Sequence, residues 1–224
     1  MIAEFLDVST IDFPKRVCSV AFFAKCNFRC PYCHNWRLLT AECKYSIDEV
    51  IQKTKKNFLV DSICISGGEP TLHEKELLEL IEKAKKEDLG VKVDTNGSRP
   101  EVVSKIVDNV DLFAIDFKTS KKKYRSLTSI SDAYERLKES LKLVRDRVEV
   151  RTTVVPTIVD MEDLNFIASE INKLDIQKLV LQQFRNNDTL DPRFRKIEPY
   201  KIDFLYNAKE ELEEKYSIFV EIRE

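Results

Sequence analysis

The sequence lacks most of what marks a membrane, secreted or nucleic-acid-binding chain. No apolar run approaches the ~20 residues that a membrane helix needs. Met1-Ile2-Ala3-Glu4 carries neither the basic region nor the apolar core of a signal peptide, so a cytoplasmic location is expected. Lys and Arg number 37 against 39 Asp and Glu, a net charge of −2, and no basic excess points to nucleic acid. There is no linker, low-complexity stretch or short repeat beyond strand–helix alternation. The 224 residues are therefore expected to form one domain over 1–224, with an opening segment at 1–16 and a C-terminal helix and strand at 199–224. A second C-x-x-C pair is also missing, which argues against a structural zinc site closed by two such pairs.

What is present is a set of three thiols in Cys26-Asn27-Phe28-Arg29-Cys30-Pro31-Tyr32-Cys33-His34-Asn35, a C-x3-C-x2-C spacing within eight residues. Thiols stay reduced in the cytosol, and three thiolates this close can hold one metal centre. Soft sulfur ligands select iron–sulfur clusters, and three ligands leave one iron of a four-iron cluster open. Zinc or a chance grouping also fits three clustered cysteines. His34 is pinned beside Cys33 and is poorly placed to join the same cluster. Cys18 reads as packing, and Cys43 and Cys64 as structural.

Apolar runs and helical periods alternate along the rest of the chain. Strands are expected over 17–24, 62–65, 91–93, 111–115, 148–155 and 178–184, with a terminal strand over 218–222. Ser46 to Glu49 is a capping box that opens a helix through Ile47, Val50, Ile51 and Phe58. A helix through Leu77, Leu78, Ile81 and Ala84 is expected to stop at Gly90, and Pro100 suits the first turn of another. Tyr134 to Val144, Leu164 to Ile171 and Pro199 to Lys215 complete the helices. The basic stretch Lys118 to Arg125 reads as a solvated turn, and His73 as a surface residue.

This alternation implies an α/β fold with parallel strands and helices outside. The polar motifs all follow strands: the cysteines, Gly67-Gly68-Glu69, Asp94-Thr95-Asn96-Gly97, Asp116-Phe117-Lys118 and Gln182-Gln183-Phe184-Arg185. Parallel barrels carry their sites on that C-terminal face. A full barrel of eight units takes ~250 residues, so a partial (β/α)6 TIM-like barrel suits this length.

The thiol spacing followed by a strand and Gly67-Gly68-Glu69-Pro70 resembles the radical S-adenosylmethionine (SAM) enzymes. The resemblance implies a 4Fe–4S cluster on Cys26, Cys30 and Cys33, with SAM on the open iron. One electron then cleaves SAM to methionine and a 5′-deoxyadenosyl radical, which takes a hydrogen atom from the substrate. By the same resemblance Gly67, Gly68 and Glu69 meet the methionyl amino group, and Tyr32 lies against the adenine. Asp94, Thr95 and Asn96 lie at the ribose and methionyl carboxylate, and Lys118, beside Asp116, neutralises that carboxylate. Plain turns also account for Gly67-Gly68 and for Asn96-Gly97, and Tyr32 also fits a solvent shield. Arg151 alternates with apolar residues and needs an anion, from the cofactor or from an Asp or Glu of a neighbouring strand.

Ser9 to Pro14, Ile65 to Leu72, Arg151 to Pro156 and Leu181 to Arg185 extend the likeness to the glycyl-radical enzyme activases, those of anaerobic ribonucleoside-triphosphate reductase above all. That implies a protein substrate, the glycine loop of the reductase, and a low-potential electron donor such as flavodoxin or ferredoxin. No membrane or nucleic-acid partner is expected. Two positions depart: Lys15 and Lys25 stand where activases carry Gly. Lys takes positive φ at a cost, so the loop is expected to differ there. Competing readings are a radical SAM enzyme acting on a small molecule or RNA base, and a non-catalytic metal-binding scaffold.

Overall fold

The structure, a computed structural model, describes residues 1–224. It forms two compact units. The first comprises Met1–Asn27, Asn35–Thr95 and Arg99–Ala114, and the second Phe28–His34, Asn96–Ser98 and Ile115–Glu224.

The first unit is built on strands β1 (Ile2–Ser9), β2 (Cys18–Phe23), β3 (Ser62–Gly67) and β4 (Gly90–Thr95). β2, β3 and β4 run parallel, in register from Cys18↔Ser62 and Ser62↔Gly90. Their residues are buried almost throughout, which is why β2 reads as an apolar run, while β4 carries Lys92 and Asp94 on one buried face. Cys18 and Cys64 pack with Phe13 and Val20, as expected of Cys18. Helices α1 (Ile47–Lys56), α2 (Glu74–Lys86) and α3 (Pro100–Ile106) supply the outer layer. The Ser46 capping box is present, with its side chain accepting from Glu49 N and the Glu49 carboxylate accepting from Ser46 N.

Several expectations are corrected here. The opening segment 1–16 contains a full strand, β1, antiparallel to β2 with Ile2 opposite Phe23 and Ser9 opposite Cys18. Half of β1 faces solvent, so Glu4 and Asp7 break the apolar run that marked the buried strands. Phe58 lies beyond α1 and is 91% exposed. α2 ends at Lys86, not at Gly90, because Asp88 takes the left-handed turn at φ 55° and Gly90 starts β4. Cys43 is exposed. His73 is half-buried, its Nε2 2.8 Å from Ala24 O and its ring against Phe23.

The second unit holds β6 (Val148–Val154), β7 (Lys178–Gln183) and β8 (Phe219–Arg223), all parallel, with helices α4 (Lys121–Thr128), α5 (Ala133–Val144), α6 (Met161–Asn172) and α7 (Ile202–Lys215). Strand β5 (Leu112–Asp116) gives its first three residues to the first unit and its last two to the second. The strand order is that of the sequence: β1 to β5 in the first unit and β5 to β8 in the second. The basic stretch expected as a turn is helix α4, whose Tyr124 packs edge-on against Phe117 and Tyr134. Lys121 and Lys122 are paired at the surface with Glu135 and Glu162, and Lys123 is paired with Asp160 and with the buried Asp163.

A buried carboxylate ties the last three strands together. Glu149 on β6 has a side chain 1% exposed and accepts two bonds from the Arg223 guanidinium on β8, at 2.9 and 2.8 Å. Lys178 on β7 stands 3.2 Å from it. Removing Arg223 takes two charge-assisted bonds from a buried carboxylate and lowers the positive charge that compensates it. Arg223→Ala is expected to destabilise the fold by roughly 3 kcal/mol, read as a lowered urea midpoint with an unchanged slope; a shift no larger than that of an exposed-arginine control would contradict the assigned role.

Candidate functional site

In the first unit, β2 runs into Ala24, Lys25 and the first thiol, Cys26. Lys25 has φ 65°, as does Lys15, so both lysines take the left-handed conformation that glycine favours. The expected difference in backbone at these positions is therefore not seen. Lys25 is held in it from both sides: its N–H donates to Leu38 O at 2.8 Å and its carbonyl accepts from Glu69 N at 2.8 Å. The local cost of about 1 kcal/mol is offset by contacts that leave no alternative.

The turn after β3 packs directly on that junction. Gly68 N donates to Phe23 O at 2.8 Å, and Asn35 Nδ2, just past the thiol segment, donates to Gly67 O at 3.3 Å. Gly67 has φ +126°, and a Cβ there would lie 2.3 Å from Phe23 N. A Cβ on Gly68 would lie 1.9 Å from Lys25 O. The paired glycines therefore bring one backbone against another beside the first thiol. A 3-10 turn over Pro70–His73 follows, so part of this motif is indeed a turn.

Glu69 is wholly buried and is fixed by its neighbours. Its Oε1 accepts from Thr71 N at 3.1 Å, Thr71 Oγ1 at 2.6 Å and Thr95 Oγ1 at 2.7 Å. Thr95 thereby links the turn after β3 to the end of β4. Beside it, Asp94 is 8% exposed, accepts from Ser66 Oγ at 3.1 Å and is ion-paired with Lys92. Lys92 is 1% exposed and was not singled out from the sequence, although its position two residues from Asp94 puts both on one face of the strand. Thr71 was missed as well. Burial, then the Asp94 carboxylate, pushes the Cys64 thiol well above its ordinary pKa.

In the second unit, Phe28–His34 carries the other two thiols and the aromatic between them. Cys33 N donates to Cys30 O at 3.0 Å, closing a turn. Asp191 N donates to Pro31 O at 2.9 Å and Leu190 N to Cys33 O at 3.2 Å, so the stretch before α7 pins this turn by backbone bonds. Such bonds run through the main chain and leave no residue-type signal. The His34 ring lies 6.4 Å from that of Phe184. Cys30 and Tyr32 are both buried, and burial raises the pKa of each, with the Lys118 ammonium acting against it.

Asp116, Lys118 and Arg151 form one charged group. Lys118 Nζ lies 3.2 Å from Asp116 Oδ2, and Arg151 Nε 3.0 Å from Asp116 Oδ1. Arg151 thus has a carboxylate from the neighbouring strand, one of the two sources its burial called for. Burial disfavours the Lys118 ammonium, but Asp116, Cys30 and Tyr32 outweigh it, and its pKa stands well above the usual range. Asn96 and Gly97 form a turn: Ser98 N donates to Asn96 Oδ1 at 3.0 Å, Gly97 has φ 70°, and its carbonyl accepts from Ser140 Oγ at 2.7 Å.

All six cysteines are free, including Cys26, Cys30 and Cys33. No group of three or more His, Cys, Asp or Glu side chains is arranged to hold a metal ion, so the fit rests on donor chemistry and spacing. On those terms the three soft thiols fit an iron–sulfur cluster. No helix is long and apolar enough to cross a membrane.

Comparison with known proteins agrees with this donor set. Residues 20–169 match the model of the Radical SAM superfamily. A Methanocaldococcus jannaschii protein, named provisionally as a glycyl-radical enzyme activating enzyme, is 35% identical over 206 residues, 88% of this chain and 85% of its own. The pyruvate formate-lyase-activating enzyme of Clostridium pasteurianum is 25% identical over 175 residues, 73% of each chain. A solved radical SAM methyltransferase from Sphaerobacter thermophilus matches with a TM-score of 0.70 at 13% identity, over 94% of this chain and 67% of that one. That likeness shows the fold: α/β, of the partial (β/α)6 class that the strand–helix alternation predicts.

The contact of Gly68 with Lys25 gives the site a direct test. Gly68→Ala is expected to weaken retention of iron by about 10–100-fold, the usual cost of disturbing the support of a metal ligand, while far-ultraviolet circular dichroism stays unchanged. Iron content equal to that of the unaltered protein under chelator challenge would contradict the role given to this contact.

Proposed function

The chain belongs to the radical SAM superfamily, and from that footing we propose that it is a glycyl-radical enzyme activase whose protein substrate is an anaerobic ribonucleoside-triphosphate reductase. The observation that carries the activase reading is the 35% identity, over 88% of this chain, to a protein named for that activity. The superfamily match over 20–169 spans every proposed site residue from Cys26 to Arg151. The choice of reductase rests on motifs that occur together, Ser9 to Pro14, Cys26 to Asn35, Ile65 to Leu72, Asp94 to Ser98, Arg151 to Pro156 and Leu181 to Arg185.

Enzymes of this superfamily use a 4Fe–4S cluster and SAM. Bound together, these would supply a one-electron reductive cleavage of SAM, with one electron from the donor and one hydrogen atom from a glycine Cα giving methionine, 5′-deoxyadenosine and a glycyl radical.

The protein's own part is binding, orientation and exclusion of water. Cys26, Cys30 and Cys33 would hold the cluster, with Cys26 set by the Gly67–Gly68 contact and the Cys30–Cys33 turn pinned by Leu190 and Asp191. Glu69, immobilised by Thr71 and Thr95, offers a fixed negative charge suited to an α-ammonium group. Lys118, held ionised by Asp116, suits a carboxylate, and Arg151 braces Asp116 from the adjacent strand. Tyr32 is a buried ring suited to a nucleobase face, and Asp94, Thr95 and Asn96 offer polar groups to the ribose. In this reading the whole chain, 1–224, is one catalytic core working in the cytoplasm with a flavodoxin- or ferredoxin-like donor.

Anaerobic incubation of reconstituted protein with SAM, a reductant and the reductase is expected to give the electron-spin signal of a glycyl radical. Cys30→Ala is expected to abolish it. Deoxyadenosine formed without any glycyl signal would reject the reductase as substrate and move the reading toward a small molecule or RNA base.

A further inference from the structure

Lys92 takes no part in the functions above, yet it is a fully buried charged side chain beside them. It is 1% exposed in the middle of β4, among Cys64, Cys18 and Asp94. A lysine so placed ordinarily loses its proton or is replaced by an apolar residue, because nothing in a dry interior compensates an isolated ammonium. Here its Nζ is paired with Asp94 Oδ1 and lies 3.9 Å from Cys64 Sγ. Asp94 Oδ2 is fixed by Ser66 Oγ at 3.1 Å, at the end of β3. The carboxylate is therefore clamped from β3 and from within its own strand, one residue before Thr95, whose hydroxyl holds Glu69.

We infer that Lys92 is a positioning residue for cofactor binding: its buried ammonium keeps the Asp94 carboxylate ionised and aimed at the C-terminal end of β4, where the SAM ribose and carboxylate are proposed to lie. The inference rests on the proposed placement of Asp94 at the cofactor.

A buried pair of this kind adds little stability over an apolar pair of the same volume, so stability alone does not explain it. Losing the lysine while keeping the aspartate is different, because a buried carboxylate deprived of the ammonium beside it holds a proton more tightly. Its hydrogen-bonding character then inverts, from acceptor only to donor. The other titratable groups facing it are Cys64 on β3, Cys18 on β2 and Asp12 in the segment before β2. Burial holds the Cys64 thiol well above its ordinary value and Cys18 at about 11, so neither titrates near neutral pH.

The sign of the effect follows. Without Lys92 the Asp94 pKa rises, so the carboxyl is protonated and affinity low below that value, and ionised with affinity recovered above it.

The test is isothermal titration of SAM into cluster-loaded protein, without reductant, between pH 6 and 9, with thermal unfolding of each variant alongside. Lys92→Met is expected to bind SAM about tenfold more weakly at pH 7 and to regain affinity as the pH rises, against a flat profile for the unaltered protein. Asp94→Asn is expected to show the same loss with no recovery. The double variant K92M/D94N, which removes both charges at once and folds even where K92M does not, is expected to match Asp94→Asn. A double variant weaker than Asp94→Asn, or K92M at full affinity across the range while Asp94→Asn is impaired, overturns the role of Lys92 alone. Full affinity in Asp94→Asn overturns the placement of Asp94 at the cofactor, and the inference with it.

Discussion

The approach of Gly68 to the carbonyl of Lys25 is the contact on which the rest of the site depends. A side chain at this point would collide with backbone 1.9 Å away, and backbone cannot rotate aside as a side chain can. The constraint works in both directions. It fixes the turn after β3 against the end of β2, and it makes Lys25 hold a left-handed conformation immediately before the first thiol. Asn35 closes the other flank onto Gly67, so the stretch that carries the thiols leaves and returns beside a single pair of glycines. A motif proposed to meet a cofactor thus has a prior mechanical task in this chain.

Charge in the interior is the second theme. Lys92–Asp94, Asp116 with Lys118 and Arg151, and Glu149 with Arg223 and Lys178 are each ionic groups on strands. Surface ion pairs, such as those of α4, contribute little to stability, whereas a half-removed buried pair is costly. The three groups differ in place along their strands. Glu149 lies near the start of β6 and bonds strand to strand, while Asp94 and Asp116 lie at the C-terminal ends of β4 and β5. Parallel α/β sheets put their chemistry at the C-terminal ends, so the first group reads as architecture and the other two as function.

Much of this was legible in the residues. Most of the buried strands announced themselves as apolar runs because neither face of such a strand meets water. The Ser46 box and Pro100 marked helix starts because the chemistry of a first turn is local. β1 was not legible, since a strand with one face in solvent carries charges along it and resembles a loop. α4 was hidden for a similar reason: its lysines and arginine suggested a solvated turn, while its buried side, Tyr124 and Thr128, is small. At the proposed site, residue types with specific chemistry stood out in the sequence: the thiols, Glu69, Asp94, Asp116, Lys118 and Arg151. What was missed acts through backbone or through a partner in space. Leu190 and Asp191 hold the thiol turn by main-chain N–H groups, and Lys92 matters only because Asp94 stands two residues away on the same face. Gly90 misled for a plain reason, because Asp88 had already supplied the left-handed residue that ends α2.

Three thiolates are proposed to hold a cluster whose remaining iron is open to SAM. Mössbauer spectroscopy of iron-57-reconstituted protein, recorded with and without SAM, addresses it without any turnover. The account predicts that one iron of a four-iron cluster changes its isomer shift and quadrupole splitting when SAM is added, while the other three do not. Spectra unchanged by SAM, with every iron in a sulfur environment, would contradict it.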